Sequence, residues 1–217
     1  MVRYPGTYSD ARGSAPITIA NDGETLRTEI RGVEFVSDDF DALSPVEDMP
    51  PEKLSSFTLN RRELCACVFT LEIPVPIVAH RSELQGRLHV TLELGSPSAN
   101  GGIDHERLQL VLTYAQERVV SSGESGWFED ELLDIQKRLP EDAFIKACIN
   151  CLYSDYTPYG HGLFGHMMCF RNIKEEYLRV KSKEDFWEVH GRQERMVQET
   201  YLCPVFSRRL PGTGYRG

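Results

Sequence analysis

The chain reads as an α+β protein: an N-terminal antiparallel β-sandwich, or an open barrel, followed by a C-terminal helical lobe stapled by cysteines. Three observations predict this. Apolar and polar residues alternate with period two between Pro16 and Tyr114, helical spacing takes over after Gly126, and Cys148, Cys151, Cys169 and Cys203 fall in the last third. Period-two alternation sets one row of side chains against a core and the other toward water. The expected division is 1–121 for the β-rich part and 122–217 for the lobe, the two packed as one unit.

The elements follow in order. Asn21-Asp22-Gly23 lies between Ile17-Thr18-Ile19 and the run from Leu26 to Val36. Asn/Asp-Gly supplies the positive backbone angles of tight turns, which predicts a hairpin over residues 16–30. Cys65, Cys67, Phe69, Leu71 and Ile73 share one face of a strand that Pro74 and Pro76, lacking amide donors, are expected to end. Cys65 and Cys67 read as buried packing residues, because free cysteine behaves as a small hydrophobe. Leu88, Val90, Leu92 and Leu94 alternate with Arg87, His89, Thr91 and Glu93, and Leu108, Leu110, Leu112 and Tyr114 repeat the pattern. Both are half-buried antiparallel strands, in a set of about six to eight.

Beyond Gly126, Phe128, Leu132, Ile135 and Leu139 recur at helical spacing. Glu129, Asp130 and Glu131 open this segment, Lys137 and Arg138 close it, and Pro140 stops it. A second helix is expected from Ser182, as N-cap, to Thr200, with Phe186, Val189, Gln193 and Val197 as its inward stripe. A shorter one is expected over 173–179, and an irregular tail from Pro204 onward.

Charge and composition bound the function. Lys and Arg number 24 against 33 Asp and Glu, a net charge of -9, which disfavours the phosphate attraction behind nucleic-acid affinity. The apolar runs are too short to cross a bilayer, which argues against a membrane partner. The N-terminal MVRYPGTYSDARGSAP lacks a secretory pattern, so a cytoplasmic location with reduced thiols is expected. The acidic excess centres on Asp38, Asp39 and Asp41, in a Pro-containing stretch that reads as an exposed loop. Such a loop suits steering of a basic protein partner, or plain solubility.

In a reducing compartment the C-x-x-C pair of Cys148 and Cys151 reads as a metal grip or a redox motif. Zinc takes tetrahedral sulfur and nitrogen donors, and Cys169 and Cys203 complete a structural four-sulfur site. The second half has no C-x-x-C of its own, so the spacing is not that of an ordinary zinc ribbon. His161 and His166 are rival ligands. An iron–sulfur cluster, a dithiol redox pair and unliganded thiols are the competing readings.

Between the second and third cysteines, Gly160, Gly162 and Gly165 satisfy G-x-G-x-x-G in SDYTPYGHGLFGHMM, without the βαβ frame a dinucleotide site needs. The glycines read as tight turns. The same loop carries Asp155, Tyr156, Tyr159 and Arg171, polar groups that would line a ligand site if they converged. That is the alternative function: a small-molecule enzyme or sensor, with a catalytic metal keeping an open position. No G-x-S-x-G elbow occurs. The leading expectation is a non-enzymatic binding protein with a structural zinc, of the neutralising, immunity or adaptor kind.

The stretch CINCLYSDYTPYGHGLFGHMMCFRNIKEEYLRVKS, with SGWFEDELLDIQKRLP before it and QETYLCP after it, resembles an uncharacterised family of bacterial proteins of similar length, most clearly over 122–217. The resemblance implies a bacterial origin and a coherent domain, and carries no activity, cofactor or binding residues.

Overall fold

A computed structural model describes residues 1–47, 49–160 and 162–214. The chain opens with β1 (Val2–Asp10), β2 (Gly13–Asn21), β3 (Leu26–Ile30), β4 (Val33–Ser37) and the short β5 (Ser44–Pro45). A helical turn, α1 (Pro51–Leu54), and a ribbon of β6 (Leu59–Asn60) and β7 (Glu63–Leu64) lead to β8 (Cys67–Ala79), β9 (Ser82–Leu94), β10 (Glu106–Tyr114) and β11 (Glu117–Val120). Then come α2 (Phe128–Arg138), β12 (Phe144–Ile145), a 3-10 turn at Cys148–Asn150, β13 (Ser154–Asp155) and β14 (Met167–Cys169). Two single helical turns, α3 (Lys174–Tyr177) and α4 (Lys183–Phe186), precede β15 (Arg195–Val197).

The architecture is mostly antiparallel sheet with few helices. β1 to β5 and β8 to β11 form one hydrogen-bonded path, β11-β10-β9-β8-β1-β2-β3-β4-β5, with β12 added on β8. β1 ties the two halves together by pairing with both β2 and β8. The sequence reading starts its strands at Pro16 and misses β1, because Pro5-Gly6 reads locally as a turn. Gly6 serves a different end here: a Cβ on it would stand 2.0 Å from the Thr70 carbonyl oxygen, so only glycine lets β1 approach β8 this closely.

The hairpin expected at 16–30 is β2–β3, with Ala20 opposite Arg27 and Asn21 opposite Leu26. The Asp22 carboxylate accepts the amides of Glu24 and Thr25, an Asx-type turn. The run from Leu26 to Val36 is two strands, β3 and β4, turned at Arg31 (φ 51°) and Gly32 (φ 76°). β9 and β10 form as expected and pair with each other, Leu92 facing Leu108 and Leu88 facing Leu112.

β8 does not end at Pro74; it runs through both prolines to Ala79. On its second side β8 pairs with β1 only over Cys67–Leu71 and with β12 only at Ile77 and Val78. Pro74 and Pro76 occupy the unpaired gap between them, and the Pro76 carbonyl accepts the Lys146 amide there, so no ladder donor is missed.

α2 matches the expected helix, burying Phe128, Leu132 and Ile135. Glu131, expected as a dipole-facing acid, is fully buried and accepts the amides of Gly123 and Ser125. The long helix expected from Ser182 is corrected to one turn, α4. Ser182 does cap it, in a capping box with Asp185. Gly191 at φ 76° then turns the chain out of the helix, and Arg195–Val197 pairs with β14 as a strand. Phe186 and Val189 are buried as the stripe requires, but turns rather than a helix present them.

The main core reaches from Tyr4 to Val197, so residues of 1–121 and 122–217 share it. At its centre Phe164 stacks on Phe40 (centroids 4.6 Å apart) and meets Phe128 edge-on (5.0 Å). A smaller cluster of Met168, Phe170, Tyr177, Val180, Phe186 and Val189 packs under the single-turn helices. No helix among the described residues is long and apolar enough to cross a membrane.

Candidate functional site

Three chain segments bring the four late cysteines together. The 3-10 turn carries Cys148 and Cys151, with the Cys151 amide donating to the Cys148 carbonyl at 3.0 Å. The Ser154 hydroxyl donates to the carbonyls of both, fixing the knuckle from beneath. Ser154 faces Cys169 across β13–β14, and Cys169 faces Arg195 across β14–β15. The returning tail closes the set. The Cys148 amide donates to Tyr201 O at 2.9 Å, two residues before Cys203, and Leu152 donates to Ser207 O at 2.7 Å. Cys151 bridges to Arg208, and the Arg209 amide donates to Asn150 O at 2.8 Å.

All four are buried free thiols. Burial raises the Cys148 thiol most, and the sulfurs of Cys151, Cys169 and Cys203 raise it further, while Arg195 opposes them. Cys169 is raised by burial first and further by the Cys151 sulfur and Glu194, while the backbone amide and the charge of Arg171 pull it down. A nearby amide and guanidinium favour the thiolate, the form that ligates metal. The Arg171 guanidinium donates to Cys203 Sγ at 3.5 Å and is held by Glu194, at 2.6 Å from its Nε. Arg195 lies over the Tyr201 ring at 4.6 Å. Two cations thus face a cluster that would be strongly anionic if ionised. Among the described residues, no group of three or more His, Cys, Asp or Glu side chains is arranged to hold a metal ion.

The groups expected to line a ligand loop do not converge. Asp155 is fully buried, accepting the Tyr177 hydroxyl at 2.8 Å and the Tyr156 amide at 3.0 Å. Tyr156 donates to Glu199 Oε1 at 2.7 Å. Tyr159 packs against Trp187 at 4.6 Å on the surface, with the Lys183 ammonium over its ring. Arg171 belongs to the cysteine cluster. Gly160 and Gly165 hold positive φ, as tight turns need.

Of the rival ligands, His161 lies outside the described residues. His166 has other partners: its Nδ1 accepts the Gly162 amide at 2.9 Å and stands 3.5 Å from Asp39 Oδ2. The acidic loop is also corrected. Asp38 is exposed, but Asp39 is 3% exposed and accepts the amides of Phe40 (2.7 Å) and Phe164 (3.0 Å). It is therefore a core residue and cannot face a partner. Burial, reinforced by the Asp41 charge, pushes its carboxyl up to about 8. Asp41 borders a cavity of about 300 Å³ with Glu106, Trp127, Gly162 and Leu163. Burial, then Asp41, raises Glu106 to about 7.

Sequence reasoning missed Arg195, Glu194 and Ser154 at the cysteine cluster, because strand pairing alone brings them there. Cysteine spacing marks sulfurs, not the cations beside them.

A model of a family of unknown function, DUF6304, matches residues 2–154. The matched span runs from β1 through the Cys148–Cys151 knuckle and stops before Cys169 and Cys203. No curated protein and no solved structure matches.

Proposed function

The chain belongs to DUF6304, a family of unknown function, and we propose from its own residues that it is a non-enzymatic cytoplasmic binding protein. In this reading one structural zinc ion, bound by Cys148, Cys151, Cys169 and Cys203, clasps its C-terminal lobe. The observation that carries the reading is the gathering of four buried thiols from three distant segments near enough to influence one another, with the Arg171 guanidinium bonded to Cys203 and the Arg195 charge acting on Cys148. Zinc needs thiolates, and a four-thiolate site carries net charge -2, which Arg171 and Arg195 offset. Few regular elements otherwise order residues 139–214, so the ion would supply the cross-links that long helices provide elsewhere.

Binding rather than catalysis is favoured because Asp155, Tyr156 and Arg171 are each engaged in a separate structural contact. With Asp39 buried and Asp41 half-buried, the exposed acids among the described residues of that stretch, open to a basic protein partner, are Asp38, Glu47 and Glu52.

Elemental analysis of protein purified without chelators tests the clasp. About one zinc per chain is expected, lost together with thermal stability in Cys148→Ser and in Cys203→Ser. Wild-type protein that is fully stable without metal overturns it. The partner is tested by capture on the intact chain: complexes that weaken with salt and on neutralising Asp38, Glu47 and Glu52 together support a basic partner, and insensitivity to both contradicts it.

A further inference from the structure

Asp39 sits where a carboxylate has too few donors. Its Oδ1 accepts the amides of Phe40 and Phe164. Its Oδ2 faces His166 Nδ1 at 3.5 Å, and that nitrogen already spends its lone pair on the Gly162 amide. The Asp41 carboxyl is close enough for its charge to act on Asp39, and Glu106 of β10 borders the same cavity as Asp41. Oδ2 thus faces an acceptor whose lone pair is already used, and protonating the Asp39 carboxyl removes a charge that burial and the neighbouring Asp41 both disfavour. Among the described residues no Lys or Arg pairs with Asp39, whose one ion-pair neighbour is His166.

The segment 162–166 rests on this carboxyl. A Cβ on Gly162 would stand 2.3 Å from Asp39 Oδ2 and from the His166 ring, so the backbone lies directly against both. Phe164 is plugged between Phe40 and Phe128, and Gly165 donates to Glu199 Oε2 at 2.8 Å on the far side. Gly162 and Leu163 also wall the cavity beside Trp127.

We propose that Asp39 is a proton-operated latch: its neutral carboxyl keeps segment 162–166 docked on the sheet, and its ionisation releases the segment and opens the cavity beside Trp127. The docked state holds a proton that the released state, with an ordinary carboxyl, gives up. Docking therefore weakens as pH rises from the ordinary value of 3.8, by up to about tenfold per pH unit, and levels off near 8. The burial that raises Asp39 is consistent with this direction. The latch does not depend on the zinc reading.

Amide hydrogen exchange of Phe164 and Gly165 in the full chain, corrected for intrinsic exchange rates, tests it. Protection is expected to fall with pH and reach a plateau near 8, while amides of β9 stay level. Asp39→Asn keeps the Oδ1 acceptor and supplies a fixed donor in place of the proton, so its protection should be independent of pH. Asp41→Asn removes the neighbouring charge and should move the plateau to lower pH. Wild-type protection independent of pH between about 5 and 9, a wild-type slope that persists in Asp39→Asn, or an unmoved plateau in Asp41→Asn overturns the latch.

Discussion

Asn21 and Gln198, 177 residues apart, form a reciprocal amide pair: Asn21 Nδ2 donates to Gln198 Oε1 at 2.6 Å, and Gln198 Nε2 donates to Asn21 Oδ1 at 3.0 Å. Both are buried, and Asn21 also donates to the Tyr4 hydroxyl and accepts the Gly23 amide. One side chain thus joins the first hairpin, the central strand and the segment leading to Cys203. Truncating either amide leaves the other buried and short of a partner, at a cost of about 1–3 kcal/mol. Asn21→Ala and Gln198→Ala should therefore be strongly non-additive in a double-mutant cycle read by urea denaturation. Additive losses would mean the pair is not a unit.

Gly6→Ala should destabilise by about 3 kcal/mol or more, because the new methyl meets backbone that cannot step aside. Gly32→Ala is the contrast. Its Cβ would meet nothing within 4 Å, and only the positive φ of 76° opposes it, for about 1–2 kcal/mol. Denaturation of both variants separates close approach from backbone conformation, and equal losses would contradict the distinction.

The Arg31 guanidinium grips Asp10 with two nitrogens, each 2.8 Å from a carboxylate oxygen, and also donates to the Gly13 carbonyl. This pairing, helped by the Arg12 amide, holds the Asp10 carboxyl at about 2 against an ordinary 3.8. A lowered folded value means stability present above pH 3.8 and lost as pH falls through about 2. Arg31→Gln should remove that part of the acid limb in a series of denaturations at falling pH. An acid limb unchanged by the substitution would assign it to other groups.

Phe164→Ala should cost about 3–5 kcal/mol, since the ring fills the space between Phe40 and Phe128 with no exposed surface. Calorimetry on the variant checks it. A loss below about 1 kcal/mol would show that the segment contributes little to the core.

These sites mark where local sequence speaks and where it is silent. β9, β10, α2 and the Asn21-Asp22-Gly23 turn follow from period, charge order and turn chemistry acting over a few residues, and all were legible. β1 was not: its Pro5-Gly6 imitates a turn, and only the presence of β8 makes a glycine there a strand residue. Pro74 and Pro76 misled for the same reason, since a missing donor matters only where a neighbour asks for one. Phe186, Val189 and Val197 keep helical spacing, yet Gly191 breaks the helix, because burial at those positions constrains side chains and not the backbone between them. At the candidate site the four cysteines were legible by type and spacing. Asp39 was not, for an acid in a run of acids looks solvated until Phe164 and His166, more than a hundred residues later, fold over it.

Zinc K-edge X-ray absorption on the purified full chain tests the central claim most directly. The account predicts a first shell of four sulfurs at about 2.3 Å, with sulfur lost from it in Cys203→Ser. A first shell of nitrogen and oxygen, or protein that folds and melts identically with no zinc, would contradict it.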